Sequence, residues 1–237
     1  MRARFLTRLS VTALLTFSVT LPVAGCAMTE GAAVAKFLPP PPVSAEALRA
    51  DELARSEGIR LREGERGIEA AFDSQKVSSR WIEAMMSPVL GMTLGKTETP
   101  AVHALIKTSL KAAKLSSRAA KGRFYGRERP FVTHPDDLTC NREVRDELNK
   151  KSSYPSGHTT AVWTAGLALA AAFPEKAGEI LDRAYRAGEN RWICGHHWKS
   201  DVEAGRALAA ATFARLAAER EFGGRLEAAR LEFAQSK

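Results

Sequence analysis

Residues 159–173 (TTAVWTAGLALAAAF) are apolar on every side of a helix and stop at Pro174. A helix with no polar face cannot lie on a water-exposed surface. At about 1.5 Å per residue this stretch reaches only ~22 Å, short of the ~30 Å hydrocarbon core of a bilayer. It is therefore expected to be the buried central helix of a bundle, and the rest of the chain must cover it. Ser44 can cap a helix running to about Ser56. Residues 77–86 are apolar-rich, with Pro88 and Gly91 expected to break them. Thr99-Pro100 opens a helix with Val102, Leu105, Ile106 and Leu110 at helical spacing, running to about Tyr125 before Gly126 and Pro130. A short helix is expected at 142–148, after a loop at 134–141. Amphipathic, Ala-rich helices are expected at 177–189, 202–221 and 224–234. No strand-like alternation and no repeat appears, so the class is all-α, a single-domain helical bundle.

The first 25 residues stand apart from that fold. Arg2, Arg4 and Arg8 make a positive start, and residues 11–23 are apolar but for Thr and Ser. This is the pattern of a secretory signal peptide, too short for a membrane span. It ends in Val23-Ala24-Gly25-Cys26, which resembles the lipobox of bacterial lipoproteins. On that resemblance Cys26 becomes the first mature residue and carries lipid. The other reading is an ordinary signal peptide with a chance Cys, and both export the chain. Ala27 and Met28 carry no inner-membrane retention signal of the Asp type, which points to an outer-membrane lipoprotein on the periplasmic side. Without the lipid the protein would be soluble in the periplasm or secreted. Residues 26–45, with Pro39-Pro40-Pro41-Pro42, are expected to form a stiff tether or a strap on the domain, and 46–237 the domain itself.

Removing three Arg and no acid lowers the formal charge from +8 to +5. With no dense Lys/Arg run, that surplus suits small anions rather than a nucleic-acid backbone. Two Cys remain, Cys140 and Cys194. In an exported protein they can pair, closing a loop of 55 residues worth about 4 kcal/mol in the chain-entropy model; the alternative is two buried thiols.

Three short segments sit between the strong helices and carry candidate chemistry. In Tyr154-Pro155-Ser156-Gly157-His158-Thr159, Gly157 permits close backbone approach to a ligand, and the apolar helix begins at once. Its free N–H groups make an anion site, to which Ser156 adds a hydroxyl and His158 an acid or base. The plainer reading is a Ser cap and a solvent-facing His. In Asn190-Arg191 and His197-Trp198-Lys199-Ser200-Asp201, the His/Asp spacing of i, i+4 places both on one helix face. A carboxylate on one ring nitrogen frees the other as a nucleophile, and Arg191 can fork onto phosphate oxygens. Alone, such a pair is more often a surface ion pair. The third segment is Arg127-Glu128-Arg129-Pro130-Phe131.

In order, these segments follow the signature K-x6-R-P, P-S-G-H, S-R-x5-H-x3-D. The chain resembles the bacterial class A non-specific acid phosphatases, of the superfamily shared with type 2 phosphatidic acid phosphatases and vanadium haloperoxidases. The tetraproline segment, Ile193-Cys194-Gly195 before His197-Trp198 and the Phe233-Ala234-Gln235 tail strengthen the likeness, which covers residue 37 to the end. The resemblance implies a vanadium-haloperoxidase-like helical fold and a phosphate monoesterase of broad substrate range. His197 would attack phosphorus, Asp201 would orient it, and His158 would serve the leaving group and then water. Arg129, Arg191, Ser156 and the Gly157 amide would hold the phosphate oxygens, with no cofactor and no metal. Small phosphate monoesters are the expected partners. The membrane is met through the lipid alone, phosphotransfer is a side activity, and any amphipathic helix leaves room for a homo-oligomer.

The chain departs from the signature at Gly122, where Lys is expected. Lys121 and Arg123 flank it without sharing its helix face, and either of them, or Arg127, is a candidate replacement cation. Asn190 stands for Ser and should keep a local hydrogen bond. His196, beside the nucleophile, is expected to be exposed rather than to line the site's mouth. His134 lies near the site at most, His103 is a plain helix residue, and Trp81, Trp163 and Trp192 read as core. Residues 91–97 brush against a phosphate-binding loop pattern with one residue too few between the glycines. The rival activity is a lipid phosphatase of the phosphatidate type; the rival class is a non-catalytic phosphate-binding lipoprotein, favoured only by Gly122.

Overall fold

The computed structural model describes residue 31 and residues 33–235, so the signal segment and Cys26 lie outside the described residues. Ten α-helices follow in order: α1 (Ala45–Arg62), α2 (Glu65–Asp73), α3 (Ser79–Leu90), α4 (Pro100–Arg123), α5 (Pro130–Thr133), α6 (Arg142–Leu148), α7 (Gly157–Ala172), α8 (Ala177–Ile193), α9 (Lys199–Ala217) and α10 (Arg220–Gln235). A single 3-10 turn (Pro174–Lys176) joins α7 to α8. No strand occurs among the described residues; the fold is all-α.

The apolar stretch is α7, and it is the centre. It packs against α4, α8 and α9, with Val162, Ala165, Ala168, Leu169 and Ala172 fully buried. Its hydroxyls do not spoil that burial, because Thr160 donates to the Ser156 carbonyl and Thr164 to the Thr160 carbonyl. Small residues let the helices close in. A Cβ on Gly205 of α9 would lie 2.7 Å from the Ser156 carbonyl oxygen, so only glycine permits α9 to rest against the start of α7. That contact sets the site.

Side-chain caps fall where Ser and Asn precede helices: Ser44, Ser78, Asn141 and Ser156 each accept a backbone N–H of the first turn. Several boundaries differ from expectation: α8 runs on to Ile193, and the helix expected at 202–221 is Lys199–Ala217, with α10 beginning at Arg220. α1 continues past Ser56 to Arg62, because Gly58 is a packing position pressed on the Trp192 backbone rather than a stop signal. Pro88 lies inside α3 instead of breaking it. It sits in the last turn, and the carbonyl it leaves bare belongs to exposed Ala84, where water can take it. Gly91, at φ 68°, ends that helix. The phosphate-loop-like run beyond Gly91 lines no part of the cleft described below.

The proline segment lies on the domain as a strap. Val34, Ala35 and Leu38 pack with Ala120, Tyr154, Ala204 and Leu208. The Tyr154 hydroxyl donates to the Pro39 carbonyl at 2.7 Å. The structure joins Cys140 to Cys194 in a disulfide, tying the 134–141 loop to the end of α8.

Candidate active site

The three segments meet at the N-terminal end of α7, around a cleft of about 390 Å³ whose lining includes Lys121, Arg129, Gly157, His158, Arg191 and His197. Arg129, at the N-cap of α5, is the hub. Its guanidinium donates to the Lys151, Ser152 and His196 carbonyls at 3.1, 3.1 and 2.7 Å, and to His197 Nε2 at 3.1 Å. The second and third segments are tied by the Ser156 amide, which donates to the Asp201 carbonyl at 2.9 Å.

His197 pairs with Asp201 as the spacing implied, but not as two residues of one helix. α8 runs through Arg191 to Ile193, then turns at Gly195 (φ 74°), and His197 lies in the bend before α9. Arg191 therefore sits in the last turn of a helix rather than in a loop. Asp201 is in the first turn of α9, where its Oδ2 accepts the Trp198 amide at 2.9 Å and the Ser153 hydroxyl. That helix-start geometry brings the same oxygen to 3.3 Å from His197 Nδ1. Arg129 can only donate, so the single lone pair of His197 Nε2 accepts from it, and Nδ1 carries the proton toward Asp201.

Behind this pair lies a network with little signal in the sequence. Arg127 donates to Asp201 Oδ1 at 2.6 Å, to Ser200 at 2.9 Å and to Asp51 at 2.7 Å. Asp51 also accepts the Ser200 amide and hydroxyl at 2.9 and 2.6 Å. Arg127 is thus spent on holding Asp201 and does not line the cleft. Arg123 is spent too, on the Ala35 and Lys36 carbonyls of the strap. The cation flanking position 122 that enters the cleft is Lys121, whose Nζ donates to the Ser152 carbonyl at 2.7 Å. A Cβ added at Gly122 would meet nothing within 4 Å.

Helix α2, for which the sequence analysis gives no expectation, supports Arg191. Asp73 at its end accepts both Arg183 and Asn190, at 2.7 Å from each, and the next carbonyl, of Ser74, accepts Arg191 at 3.1 Å. Asn190 so keeps a hydrogen bond in place of Ser. Ser156 does not line the cleft; it caps α7 and accepts the Thr159 hydroxyl at 2.9 Å. His196 is fully buried rather than exposed, because its backbone is pinned between Arg191 and Arg129. Its ring lies 6.4 Å from that of Phe131, and neither ring nitrogen has a partner among the described residues. His134 pairs with Glu52 and His103 with Glu83, both away from the cleft. Trp81 is core and stands edge-on to His158 at 5.3 Å. Trp198 packs beside Arg127.

Electrostatically the cleft carries a surplus of positive charge, since Lys76, Lys121, Arg129, Lys151 and Arg191 line it against Glu147. Burial, then Arg129, pulls Lys121 down to about 8. Burial brings Arg129 to about 10 and, with Arg129 beside it, Arg191 to about 9. Burial first, and then the neighbouring cations, holds His158 and His197 well below the usual histidine range. Burial raises Asp201, against the pull of Arg127, Ser153 and the Trp198 amide. His158 Nε2 and Arg191 Nε are buried without partners. Buried polar atoms left open beside three cations are what an anion would complete.

Comparison with known proteins agrees with this geometry. The PAP2 superfamily pattern matches residues 104–220, a stretch that holds all three segments. The chain is 38% identical over 203 residues to the non-specific acid phosphatase of Providencia stuartii, covering 85% of this chain and 81% of that one. It is 38% identical over 181 residues to the protein of the same name from Salmonella typhi, at 76% and 72% coverage. With the acid phosphatase of Zymomonas mobilis it shares 33% over 201 residues, at 85% and 75% coverage. A buried His/Asp pair facing three cations at the head of a central helix, and relatives matched over most of their length, place this chain in the PAP2 superfamily, beside the bacterial non-specific acid phosphatases.

Proposed function

We propose that the protein is an exported acid phosphatase that hydrolyses small phosphate monoesters through a phosphohistidine at His197. One observation carries this reading. The His197 Nε2 lone pair and the unpartnered His158 Nε2 and Arg191 Nε all belong to one cationic cleft. An arriving phosphate takes the Arg129 N–H on an oxygen and frees Nε2. Lys121, Arg129, Arg191 and the Gly157 amide hold the equatorial oxygens, which supplies the positioning and charge that phosphoryl transfer requires.

The N–P bond forms as the P–O bond to the leaving group breaks, and His158 gives its proton to the departing oxygen. Water then attacks phosphorus, His158 takes the water's proton, and phosphate leaves with His197 restored. An alcohol in place of water gives phosphotransfer. His158 is depressed in the empty cleft, and the dianion opposes that depression, so substrate and proton arrive together. This favours acid pH. Lipid on Cys26 would hold the enzyme at the periplasmic face of the outer membrane. Among the described residues no helix is long and apolar enough to cross a membrane, which agrees with attachment through lipid.

The test is hydrolysis of an aryl phosphate against pH, in chelator, with the chain from Ala27 to Lys237. Turnover is expected below neutral pH and is expected to fall by at least ~10⁴-fold in His197→Ala. Undiminished turnover in that variant contradicts the assignment.

A further inference from the structure

We infer that the outer face of α4 is a docking surface for an anionic phospholipid bilayer, fixing how the enzyme lies on the membrane that holds it. This rests on the reading of Cys26 as the lipidated residue. Lys107, Lys111, Lys114 and Arg118 are all exposed on α4. Steps of four, three and four residues keep them within about 60° of the helix circumference and along ~16 Å of its length. No acidic side chain interrupts the 107–118 run, and none of the four makes an ion pair with a described residue. On other helices Arg60, Arg215, Arg225 and Arg230 are each met by a Glu three or four residues away.

The tether selects the occupant. Gly31 packs directly on α4, where an added Cβ would lie 3.1 Å from the Leu115 carbonyl. From Gly31 back to Cys26 is five residues, at most ~18 Å of chain even fully extended. A domain of this size is ~40 Å across, so a lipid on Cys26 cannot bring the opposite face to the membrane. The face within reach is the one bearing four uncompensated cations beside the strap. Just beyond the stripe, Lys121 turns into the catalytic cleft, so docking sets the cleft's mouth beside the lipid headgroups. Near an anionic surface each cation adds about fivefold to partitioning, an effect that salt screens.

The experiment uses residues 27–237, which lack the lipid and keep every described residue. Sedimentation with vesicles of phosphatidylglycerol and phosphatidylethanolamine (3:7) is compared with vesicles of phosphatidylcholine. Binding to the anionic vesicles alone is expected, with loss in 0.5 M NaCl. Lys111→Gln with Lys114→Gln is expected to weaken it by about 25-fold, and Lys111→Glu with Lys114→Glu by more. Aryl phosphate turnover should be unchanged in both pairs, which also reports correct folding and keeps this test separate from that of the catalytic reading. Equal binding to both vesicle types, or charge-reversed protein that binds as wild type does, overturns the inference.

Discussion

Behind His197, Asp51, Arg127, Ser153, Ser200 and Asp201 hold one another in a closed network of hydrogen bonds and ion pairs. In front of it, Lys121, Arg129 and Arg191 stand together with no ion-pair partner on their side chains among the described residues, and His158 Nε2 and Arg191 Nε have no hydrogen-bond partner there. The same histidine thus divides a satisfied region from an unsatisfied one. The satisfied side fixes geometry and contributes stability. The unsatisfied side stores repulsion and desolvation, which an incoming anion relieves. Substitutions should therefore separate: in front they should cost activity and spare the fold, and behind they should cost both.

The largest effect is expected in front. Lys121→Met removes one of the five cations that line the cleft and should lower kcat/KM by ~10²-fold or more. The melting temperature should hold or rise, because a buried, uncompensated cation is gone. Behind, Arg127→Met leaves Asp51 and Asp201 short of their partner. It should cost about 3 kcal/mol of stability in urea unfolding and some tens-fold in kcat. Arg127 holds Asp201 down against burial. Its loss lets Asp201 rise further, so the acid limb of the kcat profile should move to higher pH. A variant with normal stability and a normal acid limb would erase the distinction between the two sides.

A smaller effect is expected from pH alone. His158, His196 and His197 are all depressed by burial in the folded protein, so the unfolded chain binds more protons near pH 6. Their contribution to stability is present above the unfolded value of about 6.5 and is lost as pH falls through the lowered folded values. Thermal unfolding without ligand should drop by several degrees between pH 7 and pH 5. Inorganic phosphate should recover part of the loss, and failure to do so would mean that the cleft does not hold the anion. The smallest effect is expected at Gly122→Lys, whose KM should stay within about twofold, because Lys121 already occupies the cleft.

The front of the site was largely legible in the sequence, because chemistry there depends on residue type and order. Arg129, His158, Arg191, His197 and Asp201 fall in short segments whose spacing carries them into one place. The back was not. Arg127 was visible beside Arg129, but its role depends on Asp51, which lies 76 residues away. Asp73 and Ser74 orient Arg191 from a helix that the periodicity reading passed over. The Gly122 gap was visible, but which neighbouring cation faces the cleft was not: a seven-residue count assumes one helical phase, while Lys121 lines the cleft from the end of α4. His196 misled for a similar reason, since polar type suggests exposure and only the packing of the 194–197 turn shows burial. For the fold, the apolar run at 159–173 was sufficient to name the centre. Pro88, which suggests a helix end, lies in the last turn of α3.

The central claim is that His197 becomes the covalent carrier of phosphorus. Quench of turnover within milliseconds, followed by peptide mapping under alkaline conditions that preserve phosphohistidine, tests it most directly. The account predicts a phosphoryl group on the peptide containing His197, accumulating up to one per chain and absent in His197→Ala. Phosphate found on His158 or His196, or turnover with no phosphoryl-enzyme at any time point, would contradict it.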